Sequence, residues 1–287
     1  MMQALVNGLT LGALYALVAS GLLLIFGILD IPDFALGGRL MVGAYCGYFM
    51  VTRFDQHYWV GVLASIAIAV VLGLLSEVVV YRHLRRGSAT NGFIGALALL
   101  AAMEIGAQVL WRADYRKFDS PYDNTIVHIG SAAVSQQRLM AAFIALALIV
   151  GMHAYLRLTD SGRAMRASTE DPVGALVVGI SPTRMALLAM AVGSAMAGAA
   201  GGLLGPIYLV YPHMGSTIVI KAFIVVVLAG MRSSAGVMVG SILLGLAESF
   251  GSLFLSAGFT DVYAFVLLMV ALIVRPSGLF APRLAAR

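Results

Sequence analysis

Long apolar runs alternate with short polar links along the whole chain. The runs cover about 4–29, 31–51, 58–80, 92–111, 139–156, 184–205, 216–230, 236–255 and 260–274. A bilayer-spanning helix needs about 20 apolar residues, and most runs reach or approach that length. They do not alternate with a period of two, so they are not barrel strands, and an open sheet cannot sit in lipid. The pattern predicts an all-α integral membrane protein. The expected architecture is a polytopic bundle of about 8–9 transmembrane helices, with a broken second helix where Pro32 interrupts an apolar run. One domain, 1–287, holds everything, with a long outer loop at 112–138 and a cytoplasmic loop at 157–184.

Composition supports the membrane. The chain is 61% hydrophobic and 11% charged, against about 25% charged in a soluble domain. So little charge would leave large exposed apolar patches in water, and intrinsic disorder needs low hydrophobicity. The first run is too long for a signal-peptide core of about 7–15 residues and reads as a retained span. Cys46 is the single cysteine, and the five histidines are scattered. No disulfide, Cys-based metal site or His-pair metal site is expected.

The charges set an orientation. Basic residues mark the cytoplasmic side. Arg82, Arg85, Arg86, Arg157, Arg163, Arg166, Arg184, Arg232, Arg275, Arg283 and Arg287 fall on one side. Arg53, Arg112, Arg116, Lys117 and Arg138 fall on the other, where Asp114, Asp119 and Asp123 dilute them. The first side is expected to be cytoplasmic. Nine crossings then place the N-terminus outside and the C-terminus in the cytoplasm.

Two segments break the helical pattern. Asp30 to Arg39 holds Pro32, Gly37, Gly38 and three further charges or charge partners in Asp30, Asp33 and Arg39. Gly201 to Gly215 holds Gly205-Pro206 and Tyr211-Pro212. Irregular backbone at membrane depth is tolerated only when protein buries it or it lines a watery cavity, and a pair of interrupted segments points to a translocation path. The path candidates are Asp33, Phe34, Gly37, Gly38, Arg39, Tyr211 and Pro212; simple loops between spans are the plainer reading. Ionisable groups inside the membrane are costly and face the bundle interior. Glu104, Lys221 and Glu248 are the buried polar candidates, with Gln108 one turn from Glu104. Glu104 reads as a structural hydrogen-bonding group, since no chain of carboxylates supports a proton relay. Glycines recur four apart, as at Gly8/Gly12, Gly43/Gly47 and Gly198/Gly202, the stripe that lets helix backbones pack closely.

The loop 157–184 is the most informative stretch. Thr159, Asp160 and Ser161 can cap a turn that carries Arg163 and Arg166 on one face. Asp171-Pro172 is a helix start and Gly179 a matching stop. Between them Val173, Leu176, Val177 and Ile180 repeat at helical spacing. A short capped helix in such a loop is a docking element, for the membrane surface or for a groove on a soluble partner. No catalytic residue set is present: neither Lys117 nor Lys221 follows a GxxxxGK[ST] glycine, so the chain has no P-loop, and no GxSxG or HExxH motif occurs. The chain is not expected to be an enzyme.

These residues resemble a known family. The stretch from Thr159 to Ile180, with Gly162-Arg163-Ala164-Met165-Arg166-Ala167, is similar to the cytoplasmic signature of permease subunits of branched-chain amino acid ABC importers. The urea-importer permeases are close relatives. Asn7 to Leu17, Gly43-Ala44-Tyr45, Met196 to Leu204, Lys221-Ala222-Phe223, Gly245 to Glu248 and Arg275 to Phe280 also match, in the family's order. At the break the family reads INFAHG, where this chain has Asp33 for the Asn and Leu36 for the His. Its GGLGSxxG becomes Ala229 to Gly236.

The resemblance implies an inner-membrane permease subunit that moves a small polar solute inward, most simply an amino acid. A urea or short-amide importer and a proton-coupled secondary transporter are the alternatives. It implies a second permease subunit, homologous or identical, and two cytoplasmic ATPase subunits that carry the ATP and Mg. It also implies an extracytoplasmic solute-binding protein, surrounding lipid and no nucleic acid. ATPase coupling then falls to Gly162, Arg163, Arg166, Asp171, Pro172, Leu176, Val177 and Gly179, with the two arginines facing acids on the partner. A half-helix starting near Gly37 or Gly38 would turn its positive end to the solute.

Overall fold

The computed structural model describes all residues except 86–88, 124, 130–131, 232, 277 and 281–287. Arg86, Arg232, Arg283 and Arg287 of the orientation count lie outside the described residues. Nearly every apolar run becomes a helix. In chain order these are α1 (Met2–Leu29), α2 (Ala35–Thr52), α3 (Tyr58–Ser76), which continues through a π-turn (Glu77–Tyr81) into α4 (Arg82–Leu84), and α5 (Ala89–Trp111). A hairpin of β1 (Ile126–Ile129) and β2 (Ala132–Ser135) precedes α6 (Gln136–Leu158). Then come α7 (Asp160–Glu170), α8 (Pro172–Val177), α9 (Pro182–Leu204), α10 (Met214–Ala229), α11 (Ser234–Phe254) and α12 (Thr260–Val274). Among the described residues, six helices are long and apolar enough to cross a membrane, and α10 and α12 are shorter apolar helices.

Burial sorts the helices. In α1 every residue from Gly12 to Leu22 is buried, and in α9 every residue from Met196 to Leu204. A helix apolar all round belongs in the interior. The two pack antiparallel, with α1 also against α11, α10 and α6, and α9 against α3 and α2. The outer helices α5, α6 and α12 keep Val109, Phe143 and Ile273 exposed, as lipid-facing surfaces require. The glycine stripes are tight packing inside the bundle: Gly8 and Gly12 lie against α11 at Leu246 and Ile242, and Gly198 lies against Ser65 and Ala69 of α3.

One end of the bundle carries the β-hairpin, pinned to α1 by Gln3, whose amide exchanges two 2.8 Å hydrogen bonds with the Ala133 backbone. The other carries α7 and α8. At about 1.5 Å per residue α1 is about 42 Å long, whereas α2 and α10 reach about 27 and 24 Å. The two shorter helices run antiparallel and overlap at their N-terminal parts, where the Gly37 and Gly215 backbones touch and Phe34 meets Phe223. So α2 starts inside the bundle and rises to the hairpin end, while α10 starts inside and runs to the α7–α8 end. Segment 30–34 packs by Ile31 against Gly92 near the start of α5, and segment 205–213 lies against Arg116 and Phe118 of the long loop. The expectation of a broken second helix is corrected in detail: α2 is continuous from Ala35, and the interruption lies before it. Asp30 ends α1 in the left-handed region, with φ 55°, and Pro32 cannot donate a helical hydrogen bond.

Candidate functional site

The first break is closed by its own charges. Asp33 and Arg39 are both fully buried and paired with each other. The Tyr81 hydroxyl, placed by the π-turn, donates to the other Asp33 oxygen. Arg39 also donates to Ser194 Oγ of α9 at 2.9 Å. An ionised group without partners is strongly disfavoured in such surroundings, and this set supplies partners from α2, the π-turn and α9. The Asp that replaces the family's Asn is thus neutralised by an arginine six residues on. Phe34 packs between Phe93 and Phe223. Gly37 is covered by α10 and Gly38 by Met103. The start of α2 faces no open space.

The second break is built differently. Val210 pairs backbone to backbone with Arg116 of the long loop, at 2.9 and 2.8 Å, and this holds the segment as it turns inward. The N-terminus of α10 needs acceptors for its free N–H groups. Glu104 of α5 supplies one: its Oε1 accepts from the Ser216 N–H at 3.2 Å. Its Oε2 accepts from His213 Nδ1 at 2.9 Å, and Gln108 donates to His213 Nε2 at 2.8 Å. That tautomer satisfies all three side chains at once. Glu104 is therefore a buried capping carboxylate for the first turn of α10.

Beside α10 lies a cavity of about 820 Å³. Its walls come from α1, α10, α11, the start of α12 and the segment 205–213. Tyr208 and Tyr211 stand along it, and Lys221, Glu248, Tyr15 and Asp261 line it. Lys221 Nζ is 2.9 Å from Glu248 Oε1 and 3.2 Å from Asp261 Oδ1. The Tyr15 hydroxyl donates to Glu248 Oε2 at 2.7 Å. Tyr15 is halfway along α1 and Lys221 halfway along α10, while Glu248 lies in the last third of α11 and Asp261 in the first turn of α12.

At the opposite end, α7 turns back on α6. Thr159 Oγ1 accepts from the Gly162 N–H at 3.0 Å. Gly162 must lack a side chain, because a Cβ there would meet Leu156 Cα at 2.6 Å. Arg163 donates to Arg157 O and Leu158 O and pairs with Asp160, and Arg166 Nε donates to Leu156 O at 3.1 Å. The two arginines reach the C-terminal carbonyls of α6, a favourable place for cations, and both remain exposed. Asp171 caps α8 by accepting from Gly174 N–H at 2.9 Å, with Pro172 at the first position. Gly179 ends the turn with φ 85°. Ser181 makes no side-chain cap on α9, although Pro182 opens it.

Of the residues singled out from sequence, Tyr211 lines the cavity and Pro212 is buried beside it. Asp33, Phe34, Gly37, Gly38 and Arg39 are packed away from it. Gly162 is buried at the α6–α7 corner, while Arg163, Arg166, Asp171, Pro172, Leu176, Val177 and Gly179 are exposed along α7 and α8. Glu104, Lys221 and Glu248 are buried as anticipated, but in two separate clusters. Tyr15, Tyr81, Ser194, His213 and Asp261 were not singled out. Their partners lie far away in sequence, and nothing local marks them.

A family model described as "Branched-chain amino acid transport system / permease component" matches residues 4–274. The chain is 30% identical to the high-affinity branched-chain amino acid transport system permease protein LivH of Escherichia coli, over 97% of this chain and 94% of that one. It is 30% identical to BraD of Pseudomonas aeruginosa, over 97% and 95%. It is 23% identical to the probable branched-chain amino acid transport permease protein LivH of Methanocaldococcus jannaschii, over 93% and 88%.

Proposed function

The chain belongs to the family of branched-chain amino acid transport system permease components, and from that premise we propose that it carries branched-chain amino acids inward with ATP-hydrolysing subunits docked on α7 and α8. It is a multi-pass inner-membrane protein and a transport subunit rather than an enzyme. The observation that carries the docking assignment is the free apolar face of α8. Val173, Leu176, Val177 and Val178 are exposed, Val177 at 83%, on a helix fixed by a cap at each end. An apolar face held rigid and uncovered is the form a groove-binding helix takes.

In this reading nine passes place the N-terminus outside and the C-terminus in the cytoplasm, supported by the excess of arginine at the α7–α8 end. Two ATPase subunits bind there and hold the ATP and Mg. A second permease subunit, homologous or identical, completes the path. A solute-binding protein delivers from the hairpin end. The solute enters the cavity under Tyr211 and follows α10 toward the cytoplasm. ATP-driven movement of α8 reaches the path through α7, since Arg166 ties α7 to α6, and through the short link from α8 into α9. Such rigid-body coupling is how packed helices transmit a shift.

The test is co-purification. Val177→Asp should reduce recovery of the ATPase by about tenfold, as a charge in a desolvated contact does, while the chain still inserts. Arg166→Ala should weaken recovery less. Undiminished assembly and transport in both variants would overturn the assignment.

A further inference from the structure

We propose that the Lys221–Glu248–Asp261 cluster is the site that reads the charged head group of a zwitterionic solute, with Lys221 taking the carboxylate and Glu248 and Asp261 the ammonium. This deepens the amino acid reading above and rests on it.

The argument begins with cost. Lys221 is 8% exposed and Glu248 1%, both within apolar helices of the bundle, where ionised groups are expensive and mark solute or ion paths. A purely structural pair would be sealed, as Asp33 and Arg39 are. This pair instead lines the 820 Å³ cavity, and Lys221 and Asp261 also line a smaller one of about 140 Å³. The volume falls within the range of small-molecule sites, about 300–1,000 Å³.

The charges are also arranged for exchange. One ammonium faces two carboxylates and the Tyr15 hydroxyl, at 2.9, 3.2 and 3.5 Å. Glu248 is held from behind by Tyr15, while Asp261 sits at the rim with its side chain 68% exposed. An entering zwitterion can replace one internal ion pair with two intermolecular ones, so no charge is left unpaired at any stage. A neutral amide offers no such exchange, and a lone anion would deepen the net negative charge of one ammonium beside two carboxylates. Leu11, Leu204, Ile207 and Ile218 supply an apolar wall for a hydrocarbon side chain. Arg138 lines the same cavity and offers a second cation to a carboxylate.

The experiment uses the full complex with its ATPase, second membrane subunit and binding protein in liposomes. It reads leucine moved per ATP hydrolysed, with leucine-loaded binding protein outside. The double variant Lys221→Met/Glu248→Met removes both charges together, a change that a merely structural pair tolerates. The expected result is retained ATP hydrolysis with the leucine-to-ATP ratio down about tenfold, as for loss of a charged recognition contact. Tyr15→Phe, which keeps the charges, should lower the ratio about threefold, in line with one lost hydrogen bond. A double variant with the wild-type ratio overturns the inference. Should the double variant not assemble, an unchanged ratio in Tyr15→Phe overturns it alone. A wild-type complex that hydrolyses ATP but moves no leucine refutes the amino acid reading itself, which is a distinct outcome.

Discussion

Replacing Arg39 by Met would test how the first break is held. The substitution keeps much of the side-chain volume and removes the charge. Asp33 would then stay fully buried, with Tyr81 as its remaining hydrogen-bond donor among the described residues. Breaking a buried ion pair by removing one partner costs about 3–5 kcal/mol. Loss of the 2.9 Å bond to Ser194 adds about 1 kcal/mol. The sum, about 4–6 kcal/mol, is a shift of about three to four powers of ten in the folding equilibrium. The double variant Asp33→Asn/Arg39→Met should recover most of this, to within about 1–2 kcal/mol of the parent, because neutral replacement of a whole buried pair is close to neutral. Asn still offers an oxygen to Tyr81. Unfolding in mixed detergent, followed by tryptophan fluorescence, is a suitable assay. Trp111 stacks on Tyr45 of α2 with ring centroids 4.4 Å apart, so it reports when α2 leaves the bundle. A single variant as stable as the parent, or a double variant no better than the single, would refute the closed-pair account.

Three other outcomes follow from the same geometry. Glu104→Gln should retain most uptake and Glu104→Ala should lose about 1 kcal/mol of stability, as a cap does; abolition of uptake by Glu104→Gln alone would instead restore the proton-relay reading. Gly162→Leu should loosen the α6–α7 corner by about 1–3 kcal/mol through overpacking, seen as faster proteolysis between Arg157 and Pro172. Asp171→Ala removes the α8 cap, worth about 1 kcal/mol, and should lower ATP-coupled transport while leaving membrane insertion unchanged, measured as leucine moved per ATP.

Much of the fold was legible because its signals are local. Runs long enough to cross a bilayer mark themselves, and α8 is announced by Asp171, Pro172 and Gly179 within nine residues. The start of α2 was read two or three residues late, at Gly37 or Gly38 rather than Ala35. Those two glycines are a contact surface for α10 and Met103. For Arg163 and Arg166 a helical face shows where a side chain points along its own helix, but not the open carbonyls of α6 beside it, which both also meet.

The sequence by itself determined the solvent, the helices and the side that carries arginine, since each depends on composition over a few turns of chain. The tertiary structure alone decided which charges meet. Asp33 finds Tyr81 and Arg39 finds Ser194, Glu104 caps a helix 112 residues away, and Lys221 joins Tyr15 with Glu248. Such pairings leave no periodic trace in the chain. They are imposed because lipid offers no water to an unpaired charge, so the fold has to bring the partners together.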